Sequence, residues 1–167
     1  MHLWILRHGE AERETQRDPE RMLTTLGETD ARAAGVCLAD VYTNKYADKA
    51  ADLHFLASPY RRAQQTAQCA LQSFPGKSLG TVSWLVPDAD PLAAIRELEK
   101  LRIDHLVLVS HQPLVSALGG ALLASDYRAG PSMGTASLAE FELSMVARGC
   151  ATLVSLRHPP DFHIATA

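Results

Sequence analysis

A chain of 167 residues, 47% apolar and 21% charged, has the length to bury about two-thirds of its unfolded surface and the composition of a packed globule, which excludes a disordered chain. Its net charge of −3 provides no global field to recruit nucleic acid or an anionic membrane, so any anion site must be built from local positive charge. The cysteines Cys37, Cys69 and Cys150 lie far apart with no C-x-x-C pair, which excludes a zinc ribbon and a disulfide framework. Cys37 and Cys69 fall on the inward sides of helices and read as small buried hydrophobes. No leader-like segment follows Met1, and no apolar run approaches the roughly 20 residues of a membrane span. A soluble cytoplasmic chain is expected.

In chain order, a strand at 2–6 opens into a charged loop, 10–21, punctuated by Pro19. Thr25-Leu-Gly-Glu28 has capping-box spacing, with Thr24 an equal candidate for the cap. The helix that follows carries Ala31, Ala34, Leu38 and Val41 on one face. Residues 43–52 are polar and read as a connection. After a strand at 53–57, Ser58-Pro59 fits an N-cap and a first-turn proline. This second helix directs Ala63, Ala67, Ala70, Leu71 and Phe74 inward and stops at Pro75-Gly76. A short strand is expected at 82–86. Asp90-Pro91 then starts a helix bearing Leu92, Ile95, Leu98 and Leu101. A strand at 105–110 leads into a helix from about 113 to 123 that is apolar nearly all round. A loop at 124–134 precedes two late strands, about 136–143 and 151–157, joined near Arg148-Gly149. Helices alternating with strands and then two consecutive strands predict an α/β fold. Its sheet is expected to be five- or six-stranded, mostly parallel with an antiparallel edge, with helices on both faces. Residues 1–167 read as one domain.

The chemistry gathers at the strand ends. Trp4-Ile-Leu-Arg-His-Gly9 runs from buried strand into a cation, an imidazole and a glycine. Val107-Leu-Val-Ser-His111 repeats the pattern, and Leu53–Ser58 leads into Pro59-Tyr-Arg-Arg62. Ligands of α/β sheets bind beyond the carboxyl ends of the strands, so two imidazoles and two or three arginines should meet in one crevice and suit a phosphoryl group. Arg7, Arg13, Arg17, Arg21, Arg61 and Arg62 supply the local positive charge.

Arg7-His-Gly9, Leu23-Thr-x-x-Gly27, Ser58-Pro-x-x-Arg62-Ala-x-x-Thr66 and Ser110-His111, in this order, resemble the histidine phosphatase superfamily, which has a phosphoglycerate mutase-like fold. Arg7-His-Gly-Glu-Ala11, Asp18-x-x-Arg21 and His111-x-Pro-Leu-Val115 are most similar to its SixA-type branch, the phosphohistidine phosphatases. The resemblance implies His8 as nucleophile, with Arg7, Arg62 and His111 completing the catalytic set. It implies phosphate or substrate binding by Arg7, Arg62, Arg21 and Gln112. The Ser-Pro spacing selects Arg62 over Arg61. For Arg21, substrate contact and a salt bridge to Asp18 or Glu20 both remain open. The expected partner is a phosphohistidine-bearing protein, either a phosphotransfer domain or a phosphocarrier, with no nucleic acid or membrane, and a monomer is favoured. No metal or cofactor is required by this mechanism.

The residues agree with that chemistry. A neutral imidazole attacks phosphorus and splits one displacement into two, and arginine forks cancel charge on the non-bridging oxygens. Backbone N–H groups of the helix starting near Pro113 should face the same oxygens. Ester-cleaving members usually carry an acidic residue after the second helix, but here Trp84–Pro91 is short and holds only Asp88 and Asp90. Asp90, before Pro91, reads as a helix cap. That favours an N–P bond, whose imidazole leaves with little protonation. A small-molecule phosphomonoesterase with Asp88 as acid is one alternative, and an inactive phosphate-binding module is the other.

Overall fold

The computed structural model describes residues 1–13, 17–46 and 53–163. Six strands, β1 (His2–Arg7), β2 (Leu53–Ala57), β3 (Leu79–Thr81), β4 (His105–Ser110), β5 (Leu138–Leu143) and β6 (Ala151–Arg157), form one sheet in the order β3-β2-β4-β1-β5-β6. The first four run parallel, and β5 and β6 add antiparallel pairs at one side. Four α-helices accompany them: α1 (Thr25–Tyr46), α2 (Arg61–Leu71), α3 (Pro91–Leu101) and α4 (Leu114–Ala124). None of these is long and apolar enough to cross a membrane.

Alternate side chains of a strand face opposite sides of the sheet, and β1 divides its residues between two cores. Leu3 and Ile5 pack with Ile95 and Leu98 of α3 and Leu118 of α4, whereas Trp4 and Leu6 pack with Ala34 and Leu38 of α1 and Ala63 and Ala67 of α2. With both faces covered, β4 is buried at all six positions, which is why His105–Ser110 carries a nearly unbroken apolar run.

The expected α/β architecture is present, with local corrections. Convergence of the ligand sets predicts strand 2–6 between the strands at 53–57 and 105–110, but β1 is flanked by β4 and β5, and β4 separates it from β2. The strand expected at 82–86 lies earlier, at Leu79–Thr81. Ser83–Leu85 instead forms a 3₁₀ turn that buries Leu85, whose carbonyl accepts a 2.7 Å hydrogen bond from Ser110 Oγ. Thr24, not Thr25, caps α1, its Oγ1 accepting from Gly27 N at 3.0 Å. Helix α1 runs on to Tyr46 through residues expected as connection, because Tyr42 and Tyr46 extend its inner face against Trp4; residues 47–52 of that connection lie outside the described residues. Helix α2 begins at Arg61, and Ser58 Oγ accepts from Tyr60 N at 3.3 Å in the preceding turn instead of capping the helix. Asp90 caps α3 as expected, accepting from Leu92 N and Ala93 N at 3.0 and 3.2 Å.

Two glycines decide how the loop after β1 meets α1. A Cβ on Gly9 would collide with the carbonyl of Gly27, and a Cβ on Gly27 would collide with the backbone of Glu10. Both neighbours are main chain and cannot swing aside. The close approach is fastened by Thr24 N donating to Glu10 O at 2.9 Å. We expect Gly27→Ala to cost about 1–3 kcal/mol, as overpacking does; denaturant unfolding that matches wild type would remove this constraint.

Candidate active site

Parallel pairing sets the two histidines side by side. Arg7 of β1 is in register with Ser110 of β4, and His8 N donates to Ser110 O at 2.9 Å. The next residue of β4's chain is His111, and the rings of His8 and His111 lie 5.0 Å apart between centroids, tilted by 55°. That is within reach of one phosphoryl group.

His8 Nδ1 lies 2.7 Å from Gly9 O. A carbonyl only accepts, so Nδ1 carries the hydrogen and the Nε2 lone pair is left exposed to the site. Arg62 Nε donates to that Nε2 at 3.2 Å. Arg62 is 4% exposed while its neighbour Arg61 is exposed, so the structure brings Arg62 into the site and leaves Arg61 outside. The far end of the Arg62 guanidinium is held by Asp18: Nη1 donates to its carbonyl at 2.7 Å and Nη2 to Oδ2 at 3.1 Å. Arg7 enters from the other side, with Nη1 on Met133 O at 2.8 Å and its buried Nε without a partner among the described residues.

His111 is 1% exposed, and neither of its ring nitrogens has a hydrogen-bond partner among the described residues. Buried polar atoms are almost always satisfied, so an imidazole with two open nitrogens beside two arginines is shaped for a ligand. Burial, then the Arg62 and Arg7 charges against a favourable Gly9 hydrogen bond, lowers the His8 pKa to about 4. Burial, His8 and the same arginines lower His111 to about 3 against the opposing pull of Asp18. Both imidazoles are therefore neutral near pH 7. His111 becomes protonated only where added negative charge raises its pKa, and Arg62 and Arg7 act in the opposite sense. Burial, followed by repulsion from Arg62, also lowers the Arg7 pKa. For Asp18 burial acts upward, but hydrogen bonds from Arg62 and Arg21 outweigh it and lower the pKa.

The remaining candidates are placed as follows. Arg21 joins Asp18, Nη1 to Oδ1 at 3.1 Å, and its Nε donates to Glu12 O at 2.8 Å. Glu20 pairs with Arg17 instead. Gln112 Nε2 donates to Ser116 Oγ at 2.6 Å and Met133 O at 3.2 Å, so its amide fastens the loop that also receives Arg7. At the head of α4, Val115 N–H is already taken by His111 O at 2.9 Å. Asp88 is exposed, and Asp90 is engaged in its cap and 3.6 Å from Arg96.

Sequence reasoning passed over Tyr60 and Thr66 as site components. The Tyr60 ring lies 5.1 Å from His111 and 5.2 Å from the Arg62 guanidinium carbon. Thr66 Oγ1 accepts from Gly9 N at 3.0 Å and donates to Arg62 O at 2.7 Å, tying the loop after β1 to α2. Both stand inside the Ser58–Thr66 motif, where an aromatic ring and a buried hydroxyl were the available signal.

The model of the histidine phosphatase superfamily (branch 1) matches residues 3–79. In three dimensions the chain is similar to the protein histidine phosphatase SixA complexed with tungstate, at 25% identity and a TM-score of 0.76, over 93% of this chain and 96% of that one. An Agrobacterium tumefaciens protein assigned as a phosphohistidine phosphatase SixA shares the fold at 21% identity and a TM-score of 0.74, over 95% and 97% of the two chains. A phosphoserine phosphatase variant from Entamoeba histolytica, in complex with phosphoserine, also shares it, at 16% identity and a TM-score of 0.67 over 93% and 95%. No curated protein matches the chain in sequence.

The lowered histidine pKa values have a stability consequence. A histidine held at about 3 in the fold but titrating near 6.5 when unfolded leaves the unfolded state binding more protons between those values. Stability is therefore full above pH 6.5 and falls as the pH drops toward about 3. Melting temperatures between pH 7 and pH 5 should decline for wild type and decline less steeply for His111→Gln. Equal slopes would mean that His111 is not held neutral by burial.

Proposed function

From a chain that resembles the histidine phosphatase superfamily by sequence over its first half and by fold over nearly all of it, we propose an enzyme that removes phosphate from phosphohistidine on a protein. The observation that carries this is the neutral His8, its tautomer set by Gly9 O and its Nε2 facing Arg62 and His111. Residues 1–167 act as one catalytic domain.

In the first step His8 Nε2 donates its lone pair to phosphorus while the bond from phosphorus to the substrate imidazole breaks. That imidazole, protonated on its other ring nitrogen, takes the bonding pair and departs as neutral imidazole. Positive charge developing on the His8 ring is spread through Nδ1–H onto Gly9 O. Arg62 turns its Nε–H from His8 Nε2 to a phosphoryl oxygen, and Arg7 takes another, so that positioning and charge cancellation carry the rate. His111 donates from a ring nitrogen to the transferring group. Water then attacks phospho-His8, releasing orthophosphate and restoring neutral His8. These steps call on protein groups and water, with no metal ion.

The substrate class follows from the leaving group. An alkoxide needs a proton from a general acid, help worth roughly 10²–10⁴ in rate. Asp90 is committed to its helix cap and Asp88 is solvent-exposed, whereas an imidazole leaves without such help. A protein-borne phosphohistidine, on a phosphotransfer domain or a phosphocarrier, meets this requirement.

The test begins with labelling by a phosphohistidine protein, quenched in denaturant at alkaline pH, which should place a base-stable, acid-labile phosphoryl group on His8. His8→Ala should abolish turnover with the fold intact, and a variant keeping even a tenth of the rate would remove His8 as nucleophile. Arg62→Ala should lose more than about a hundredfold, as loss of a charge-stabilising donor does, whereas Arg61→Ala should stay within a few-fold.

Substrate comparison separates the N–P from the ester reading. Aryl phosphates should be cleaved detectably and alkyl phosphates poorly. Asp88→Asn should leave phosphohistidine turnover nearly unchanged. A large loss in that variant would instead make Asp88 an acid and favour small-molecule esters.

A further inference from the structure

The motif Asp18-x-x-Arg21 has no part in the steps above, yet both residues are built into the site. We propose that Asp18 is a positioning residue for Arg62, and that Arg21 acts through Asp18 instead of touching the substrate. This rests on the reading that Arg62 binds the transferred phosphoryl group.

The guanidinium geometry carries the argument. Asp18 takes the terminal end of Arg62, through its carbonyl on Nη1 and its carboxylate on Nη2. That leaves Nε–H on His8 Nε2 at 3.2 Å, with Nη2 beside Nε in the planar fork. Nε and Nη2 form the edge with which arginine grips an oxyanion side-on. Asp18 thus holds the far end while the gripping edge faces the nucleophile.

A long side chain otherwise loses rotamer entropy when it is ordered by its ligand. Here the two-point clamp and the Tyr60 ring order it beforehand. Arg21 completes the device. Its Nη1 holds Oδ1 of the same carboxylate while Nε is tied to Glu12 O, so both Asp18 oxygens are fixed by separate arginines. Arg21 is consequently turned toward Asp18 and Glu12, with Asp18 opening the 3₁₀ turn Asp18–Glu20 and Arg21 following its end.

A carboxylate beside a phosphate-binding arginine has an opposite reading, as an internal anion that competes with the ligand. The two differ in sign. Tungstate is a suitable probe because its binding is independent of which substrate the enzyme hydrolyses, and calorimetric titration reads its affinity directly.

Asp18→Asn should weaken tungstate binding about fivefold, the scale of a partly exposed charged pair. In an Arg62→Ala background the same change should cause no weakening, since the clamp then has nothing to hold. Arg21→Gln should weaken binding less than Asp18→Asn and add nothing in the double variant.

Tighter tungstate binding by Asp18→Asn would overturn the proposal in favour of a competing anion. Equal losses with and without Arg62 would reduce Asp18 to a structural residue. Losses that multiply between Arg21→Gln and Asp18→Asn would make Arg21 a direct ligand. Wild-type protein that binds no tungstate would reject the phosphate-binding reading itself. Tungstate binding without phosphohistidine turnover would leave the clamp standing and reject only the substrate class.

Discussion

Arg7 of β1 lies in register with Ser110 of β4, and the bond from His8 N to Ser110 O carries that register one residue past the strand ends. The separation of the two imidazoles depends on this pairing. Side chains alternate along a strand, so a slip of one residue would send the buried set of β4 to the opposite faces. All six β4 positions are buried, and β2 pairs along its other side from Leu53↔His105 to Ala57↔Val109. The two cores thus hold the register, and the register holds His111 beside His8. Strand pairing also fixes where Arg62 arrives, because α2 starts four residues after β2 ends. Thr66 then joins that helix to Gly9 by side-chain hydrogen bonds.

Two arginines and two imidazoles share a mostly buried pocket, and their protonation states follow from that crowding. Burial first, and then the neighbouring positive charges, lower the imidazole pKa values to about 4 for His8 and about 3 for His111. A neutral His8 has the lone pair that a nucleophile needs, and the Gly9 carbonyl assigns it to Nε2. Asp18 offsets part of the positive charge but remains half exposed, 45% by side chain. The pocket therefore keeps a net attraction for a phosphoryl dianion. Entry of that dianion would favour a protonated His111, so the imidazole least able to hold a proton in the empty site becomes a better donor once the ligand is bound.

The strand ends were legible because the sequence signals were of the clearest kind: apolar runs stopping at Arg7-His8 and Ser110-His111, and Ser58-Pro59 ahead of Arg62. The pairwise order of strands was not. Convergence of three ligand sets on one edge predicts the strand at 53–57 against β1, whereas the crossovers through α2 and α3 insert β4 between them. Val82-Ser-Trp-Leu-Val86 reads as a strand from its apolar content, but burial of Leu85 beneath Ser110 bends it into a 3₁₀ turn. Short apolar runs do not distinguish these outcomes. Within the site, the contacts of Asp18 and Tyr60 depend on where a loop and a turn settle over α2, which periodicity does not encode. The glycines of Leu23-Thr-x-x-Gly27 and Arg7-His-Gly9 were visible as motifs. Their reason, two backbones in direct contact, appears only when the loop and helix are seen together.

The protonation pattern also bears on the leaving group. Among the described carboxylates, Asp18 is the one bonded directly to Arg62, and hydrogen bonds from Arg62 and Arg21 keep it ionised. An ionised carboxylate has no proton to give, so it cannot serve as the acid that an alkoxide requires. His111 in the empty pocket is neutral as well and offers only a weakly acidic ring N–H. In the proposed reaction, the acid available among the described site residues is His111, once a phosphoryl dianion has raised its pKa. A leaving group that departs as a moderately basic nitrogen tolerates that arrangement far better than an alkoxide does. The proposed clamp on Arg62 and the proposed preference for an N–P bond thus share one premise, a carboxylate at Asp18 that Arg62 and Arg21 keep deprotonated.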